Sequence, residues 1–100
     1  MIDFERITGF QWDTGNVRKS VAKHSVTQAE AEQVFMNEPL LVSADTKHSG
    51  TEQRFHVLGH AHDNRRLHVT FTLREDGTLI RVISARAMHR KERAIYEKAH

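Results

Sequence analysis

The chain has 100 residues, contains no cysteine, and carries a formal charge of +2 from 15 Lys/Arg against 13 Asp/Glu. That length suits one domain with a single core and one layer of helices over one sheet, and the lack of cysteine excludes a disulfide framework or a thiolate metal site and suits a reducing compartment. The start, Met1 to Arg6, has neither the basic segment nor the apolar run of a secretion signal, and no apolar run approaches the ~20 residues of a membrane span, so a cytoplasmic protein with no membrane partner is expected.

In chain order, Phe4 to Trp12 reads as a short strand with a bend at Gly9, and Asp13 stands where a helix N-cap belongs. Val17 and Val21 give Thr14 to His24 a weak helical stripe on a basic segment. Thr27 and Glu30 match a capping box, so a second helix starts there, buries Ala31, Val34 and Phe35, and ends by Asn37 and Pro39. Leu40 to Ala44 is a short strand and Asp45 to Gly50 a polar loop. Glu52 to Gly59 alternates as a strand, and His60 to Asn64 turns the chain into the next one. Leu67, Val69, Phe71 and Leu73 then alternate with His68, Thr70, Thr72 and Arg74, the two-residue period of a half-buried strand. Asp76-Gly77 tolerates positive φ and reverses the chain into a strand from Thr78 to Arg86. A final helix runs through Ala99, with Met88, Ile95 and Ala99 on its apolar side. The expected fold is α+β: an antiparallel sheet of about four to five strands with two N-terminal helices and one C-terminal helix.

Charge is unevenly spread. Residues 1–50 hold five Lys/Arg against seven Asp/Glu, and residues 51–100 hold ten against six. A basic half points to a polyanion or an acidic partner. If the apolar faces of neighbouring strands turn toward the helices, then Arg54, His56, His68, Thr70 and Arg81 converge on the opposite face. Guanidinium groups grip phosphate oxygens in a bidentate fork and an imidazole moves protons near neutrality, so this patch suits a phosphodiester. An ordinary solvated strand face is the competing reading. Arg86, His89, Arg90, Lys91 and Arg93 crowd the start of the last helix, where cations oppose the helix dipole and a bound phosphate would relieve them; Glu92, Glu97 and solvent are the alternative relief. A metal site would rest on His56, His60 and His62 with Asp63, which match no ligand spacing. Tyr96 reads as a core-edge residue within reach of a substrate on the basic helix.

Taken together, Phe10-Gln11-Trp12-Asp13, Asn16, Lys23-His24, the Glu30 to Phe35 helix, Glu52-Gln53-Arg54-Phe55, Ile80 to Ala87, Glu92-Arg93 and Tyr96 form an ordered set over nearly the whole chain. It resembles the BrnT family of ribonuclease toxins from bacterial type II toxin–antitoxin systems. The sequence departs from the family pattern at Ser25, which stands where glycine is usual. The resemblance implies a RelE-like fold, RNA cleavage that stops translation, and neutralisation by a BrnA-type ribbon-helix-helix antitoxin. It also implies that operator DNA is bound only through the toxin–antitoxin complex.

A ribonuclease working without a metal must deprotonate a ribose 2′-OH, stabilise charge on the pentacoordinate phosphorus and protonate the leaving 5′-oxygen. Arg54, Arg81 and Arg86 are the candidates for charge stabilisation, and Glu52, His24 and His68 for proton transfer, with base and acid unassigned. Lys23, His56, Arg90, Lys91 and Tyr96 are the candidate RNA contacts. No cofactor or metal is expected. A non-catalytic basic module that binds an acidic antitoxin or nucleic acid is the alternative function. Arg81 and Arg86 have opposite strand parity, so a bulge or the strand's end must turn one of them for both to share a face.

Overall fold

The computed structural model describes residues 2–12, 25–47 and 50–99. Within them a five-stranded sheet has the order β1-β5-β4-β3-β2, formed by β1 (Gly9–Gln11), β2 (Leu41–Asp45), β3 (Arg54–His60), β4 (Arg66–Arg74) and β5 (Leu79–Ala87). Two α-helices accompany it, α1 (Gln28–Val34) and α2 (Arg90–Lys98). The expected helix over residues 14–24 and its cap at Asp13 lie outside the described residues.

The meander from β2 to β5 is antiparallel, but β1 runs parallel to β5, pairing Phe10 with Ile80 and Gln11 with Arg81. The sheet is therefore mixed, not antiparallel throughout. Periodicity reports which side of a strand is buried and is silent on the partner and its direction. The strand expected from Phe4 is also shorter. Asp3 accepts the Glu5 N–H at 3.1 Å and starts a 3₁₀ turn over Phe4–Arg6, leaving only Gly9–Gln11 in the sheet.

The alternation in β3, β4 and β5 defines the core. Val57, Leu67, Val69, Phe71, Ile80, Val82 and Ala85 are fully buried on one face against Val26, Ala31 and Val34 of the α1 region. Burying a residue such as Leu67 or Val69 contributes about 1.5–3 kcal/mol, which is why the two-residue period dominates the fold. Phe71 is the aromatic centre, edge-on to Phe35 at 5.1 Å and stacked on Phe55 at 5.5 Å. The α1 N-terminus is set by the capping box, in which Thr27 Oγ1 accepts the Glu30 N–H at 3.1 Å and Glu30 Oε1 accepts the Thr27 N–H at 3.0 Å. Trp12 ties β1 to α1 by donating its Nε1–H to Glu32 at 2.7 Å.

The helix α2 lies on the other side of the sheet. Its buried anchor is Tyr96, whose hydroxyl donates to the Pro39 carbonyl at 2.7 Å and pairs with His60 Nδ1 at 2.7 Å. Ile95, expected on the buried side, is 57% exposed, because the tyrosine's reach to His60 and Pro39 sets the helix rotation. The β4–β5 reversal takes four residues rather than two, with positive φ at Glu75, Asp76 and Gly77.

A Cβ on Gly59 would stand 2.6 Å from Val34 Cγ1, so Gly59→Ala should lower the urea unfolding free energy by about 1–3 kcal/mol. Ser25 holds φ 55, in the left-handed region that glycine adopts freely and a residue with a Cβ does not. Ser25→Gly should therefore raise stability by about 1 kcal/mol in the same measurement.

Candidate active site

The parity conflict between Arg81 and Arg86 is resolved by one residue. Thr70 pairs with Ser84 and Phe71 pairs with Val82, so Ile83 is an extra residue in β5. On the N-terminal side of this bulge Thr72 faces Arg81; on the C-terminal side His68 faces Arg86. Both arginines thus emerge on the polar face together with Arg54, His56, His68 and Thr70 of β3 and β4.

That face divides into two groups. The first is a hollow of about 190 Å³ lined by Gly50, Thr51, Glu52, Arg54, Thr72, Arg81 and Ile83. Here Glu52 comes from the loop after β2, Arg54 from the start of β3 and Arg81 from β5, so residues nearly thirty apart in the chain meet because Arg54, Thr72 and Arg81 form one row across three strands. The Glu52 carboxylate is held by Arg74, which donates from Nη2 at 3.0 Å and brings Nε to 2.6 Å. Thr72 Oγ1 donates to the Gln53 carbonyl at 2.7 Å, pinning the loop that carries Glu52 against the sheet.

The second group lies where α2 covers the face. Arg86 forms a fork on Glu92, with Nη1 to Oε1 at 2.8 Å and Nη2 to Oε2 at 3.0 Å. Glu92 Oε1 also accepts the His89 N–H at 2.8 Å, so the carboxylate quiets the helix start that the sequence leaves crowded with cations. The Arg86 hydrogen bonds outweigh the opposing effect of burial and hold the Glu92 carboxyl well below its usual range, at about 2. His68 Nε2 is 4.0 Å from Glu92 Oε2, and its Nδ1 is buried with no hydrogen-bond partner. Burial first, and the Arg86 charge second, push this imidazole down to about 4, so it is neutral at pH 7.

His56 connects the two groups. Its Nε2 lies 3.0 Å from the buried Asp45 carboxylate, its Nδ1 lies 3.0 Å from Thr70 Oγ1, and its ring centroid is 4.8 Å from that of His68. Asp45 sits at the end of β2, not in the loop expected there, and its partnership with His56 follows from the register that sets Ser43 opposite His56 and Asp45 opposite Arg54. Sequence reasoning missed Asp45 and Arg74 because strand register, not spacing, brings them in. Glu92 was visible as a neighbour of the basic cluster, and its hydrogen bonds were not.

The remaining candidates are dispersed. Arg90 and Lys91 are exposed on the first turn of α2 beside Glu92. Tyr96 is fully buried with its hydroxyl engaged and the Arg66 guanidinium 5.3 Å from its ring centroid, so it serves the helix–sheet junction and is withdrawn as an RNA contact. His60 is bound to Tyr96 and His62 Nδ1 to the Asn37 amide at 3.1 Å, so these histidines do not converge with His56. Among the described residues no three His, Asp or Glu side chains come together to hold a metal ion. Lys23 and His24 lie outside the described residues.

The family model for the BrnT ribonuclease toxin of type II toxin–antitoxin systems matches residues 12–92, a span that includes all of β2 through β5 and both groups on the polar face. The chain belongs to the BrnT family. A 1.1 Å crystal structure of the Brucella abortus ribonuclease toxin BrnT has the same fold, with a TM-score of 0.62 at 21% identity over 83% of this chain and 99% of that one. No curated protein matches in sequence. No helix among the described residues is long and apolar enough to cross a membrane.

The buried imidazole makes the BrnT fold of this chain acid-sensitive in a defined window. The unfolded chain protonates His68 near 6.5 and the folded chain only near 4, so stability is present in full above 6.5 and is lost as pH falls toward 4, by up to about 1.4 kcal/mol per pH unit. Thermal unfolding followed across pH 4–7 should show this slope, and His68→Gln should flatten it. The loss from Glu92 comes lower, between 4.5 and about 2, and should persist in that variant.

Proposed function

We propose that this chain is a metal-independent endoribonuclease that arrests translation in the cytoplasm, with a RelE-like arrangement of sheet and helices and a BrnA-type antitoxin as its inhibitor. The observation that carries the reading is the cross-strand row Arg54–Thr72–Arg81, which sets two guanidinium groups and Glu52 around one hollow that no residue of α2 lines. Two guanidinium groups from different strands over one concavity match the oxygens of a single phosphodiester, and the carboxylate beside them supplies a proton acceptor.

In this mechanism the scissile phosphate rests between Arg54 and Arg81. Glu52, oriented by Arg74, takes the proton from the ribose 2′-OH. The 2′-oxygen then bonds to phosphorus, and the bond from phosphorus to the 5′-oxygen breaks. The arginines neutralise the charge that grows on the non-bridging oxygens, and the departing 5′-oxygen takes a proton from solvent water, leaving a 2′,3′-cyclic phosphate on the upstream fragment and a 5′-hydroxyl on the downstream one. His68 and Arg86 act from beneath α2, where the Arg86–Glu92 fork keeps this third guanidinium and the neutral imidazole in place. His56, Arg90 and Lys91 contact the flanking RNA, and Lys23 and His24 complete the set of candidates from the family pattern.

Several arms of one experiment test this. Purified protein should cleave total RNA in the presence of EDTA and leave cyclic phosphate ends. Arg54→Ala or Arg81→Ala should each lower the cleavage rate about 10²–10³-fold, and Glu52→Gln at least about 10²-fold, without changing the thermal midpoint by more than a few degrees. Bacteria should tolerate expression of the double arginine variant and be arrested by the wild type. Equal tolerance of both, with total RNA left intact, would remove the toxin reading in favour of a basic binding module, and loss of cleavage on chelation would favour a metal-dependent hydrolase.

A further inference from the structure

The strand β2 ends the sheet, and its outer edge has no strand neighbour among the described residues. Edge strands normally carry lysines, prolines or bulges that discourage pairing. This one reads Leu41-Val42-Ser43-Ala44 before it reaches Asp45, and Val42, Ser43 and Ala44 are exposed. An apolar groove flanks it on each side. On the core side Ile2, Phe4, Leu40 and Phe55 line a groove of about 460 Å³ with Val42 and Ala44. On the opposite side Leu41, Leu58 and Ile95 line one of about 370 Å³ whose floor reaches His56, His68 and Glu92 of the polar face, and Ile95 is the side chain that the α2 rotation leaves 57% exposed.

We propose that β2 is a pairing edge for an extended segment of the antitoxin, which would add a sixth strand and lay alternate apolar side chains into the two grooves. The proposal rests on the toxin reading above. Main-chain hydrogen bonds along an open edge give affinity in this mode, and grooves on alternating sides give selectivity.

Charge identifies the occupant. One end of the edge is apolar at Leu41, and the other passes Asp45, already bound by His56 and by the Lys47 N–H at 3.2 Å, toward the hollow where Arg54, Arg81 and the Arg74 that holds Glu52 outnumber that one carboxylate. A second copy related by a two-fold axis would pair β2 with itself in reverse, setting Leu41 opposite Asp45 when centred on Ser43. A different chain, apolar along the strand and acidic where it runs on toward Arg54, fits both ends. Continuity of the edge with the Arg54 row would carry those acidic residues over the hollow, so pairing and occlusion of the RNA site would be one event.

The test uses the full chain and a BrnA-type antitoxin. Val42→Lys with Ala44→Lys places two charges on the exposed edge, away from the hollow. The variant should still arrest growth and cleave RNA, bind the antitoxin at least 10-fold more weakly, and escape neutralisation. Hydrogen exchange of the wild-type complex should show new protection at the amides of Val42 to Ala44. Unchanged antitoxin affinity with no added protection overturns the edge assignment while toxicity of the wild type keeps the toxin reading. A wild-type dimer that the lysines dissociate, with antitoxin binding intact, overturns it in favour of self-association. A wild-type chain that neither arrests growth nor binds the antitoxin overturns both.

Discussion

One extra residue in β5 governs the polar face of this protein. Strand side chains alternate strictly, so Arg81 and Arg86, five apart, would project to opposite sides of a regular sheet. The bulge at Ile83 absorbs that odd residue between Val82 and Ser84. The core side remains continuous through Ile80, Val82 and Ala85, all buried, while both arginines stay on the other side. Without the insertion one of them would be driven into the apolar core, where an unpaired guanidinium costs far more than a local interruption of the ladder.

The two arginines then meet different surroundings. Arg86 lies under α2 and is neutralised by a fork on Glu92, a carboxylate that also accepts a backbone N–H from the helix start. The same burial keeps His68 uncharged. Arg81 lies beyond the helix, in the row with Thr72 and Arg54, above a loop that carries Glu52. One part of the face is thus a closed ionic joint between helix and sheet. The other part offers cationic and acidic groups to a ligand, and BrnT family membership gives that ligand its identity as RNA in the proposed reading.

Local patterns were legible wherever short-range physics sets the outcome. The capping box at Thr27 and Glu30, the alternation of Leu67 to Leu73, and the reversal near Asp76-Gly77 are all present. The convergence of Arg54, His56, His68 and Arg81 on one face also followed from alternation alone. Illegible were features set by contacts between distant segments. The parallel pairing of β1 with β5 depends on where the returning chain finds a free edge. The rotation of α2 depends on Tyr96 reaching Pro39 and His60, so the apolar stripe through Ile95 was misleading. Asp45 became part of the site because β2 continues one residue further than its apolar run and register sets it beside His56.

By itself the sequence determined the α+β character, the four strands of the meander, both described helices and the family, since each depends on residue order and on periods of two or near four that a reader can count. Tertiary structure decided which groups work together. It placed Arg81 with Arg54 and Glu52, gave Arg86 to Glu92, tied His56 to Asp45 and withdrew Tyr96 into the interior. Register, bulge and helix rotation are settled by the simultaneous burial of all the apolar faces, and a polar side chain is carried wherever that packing places its backbone.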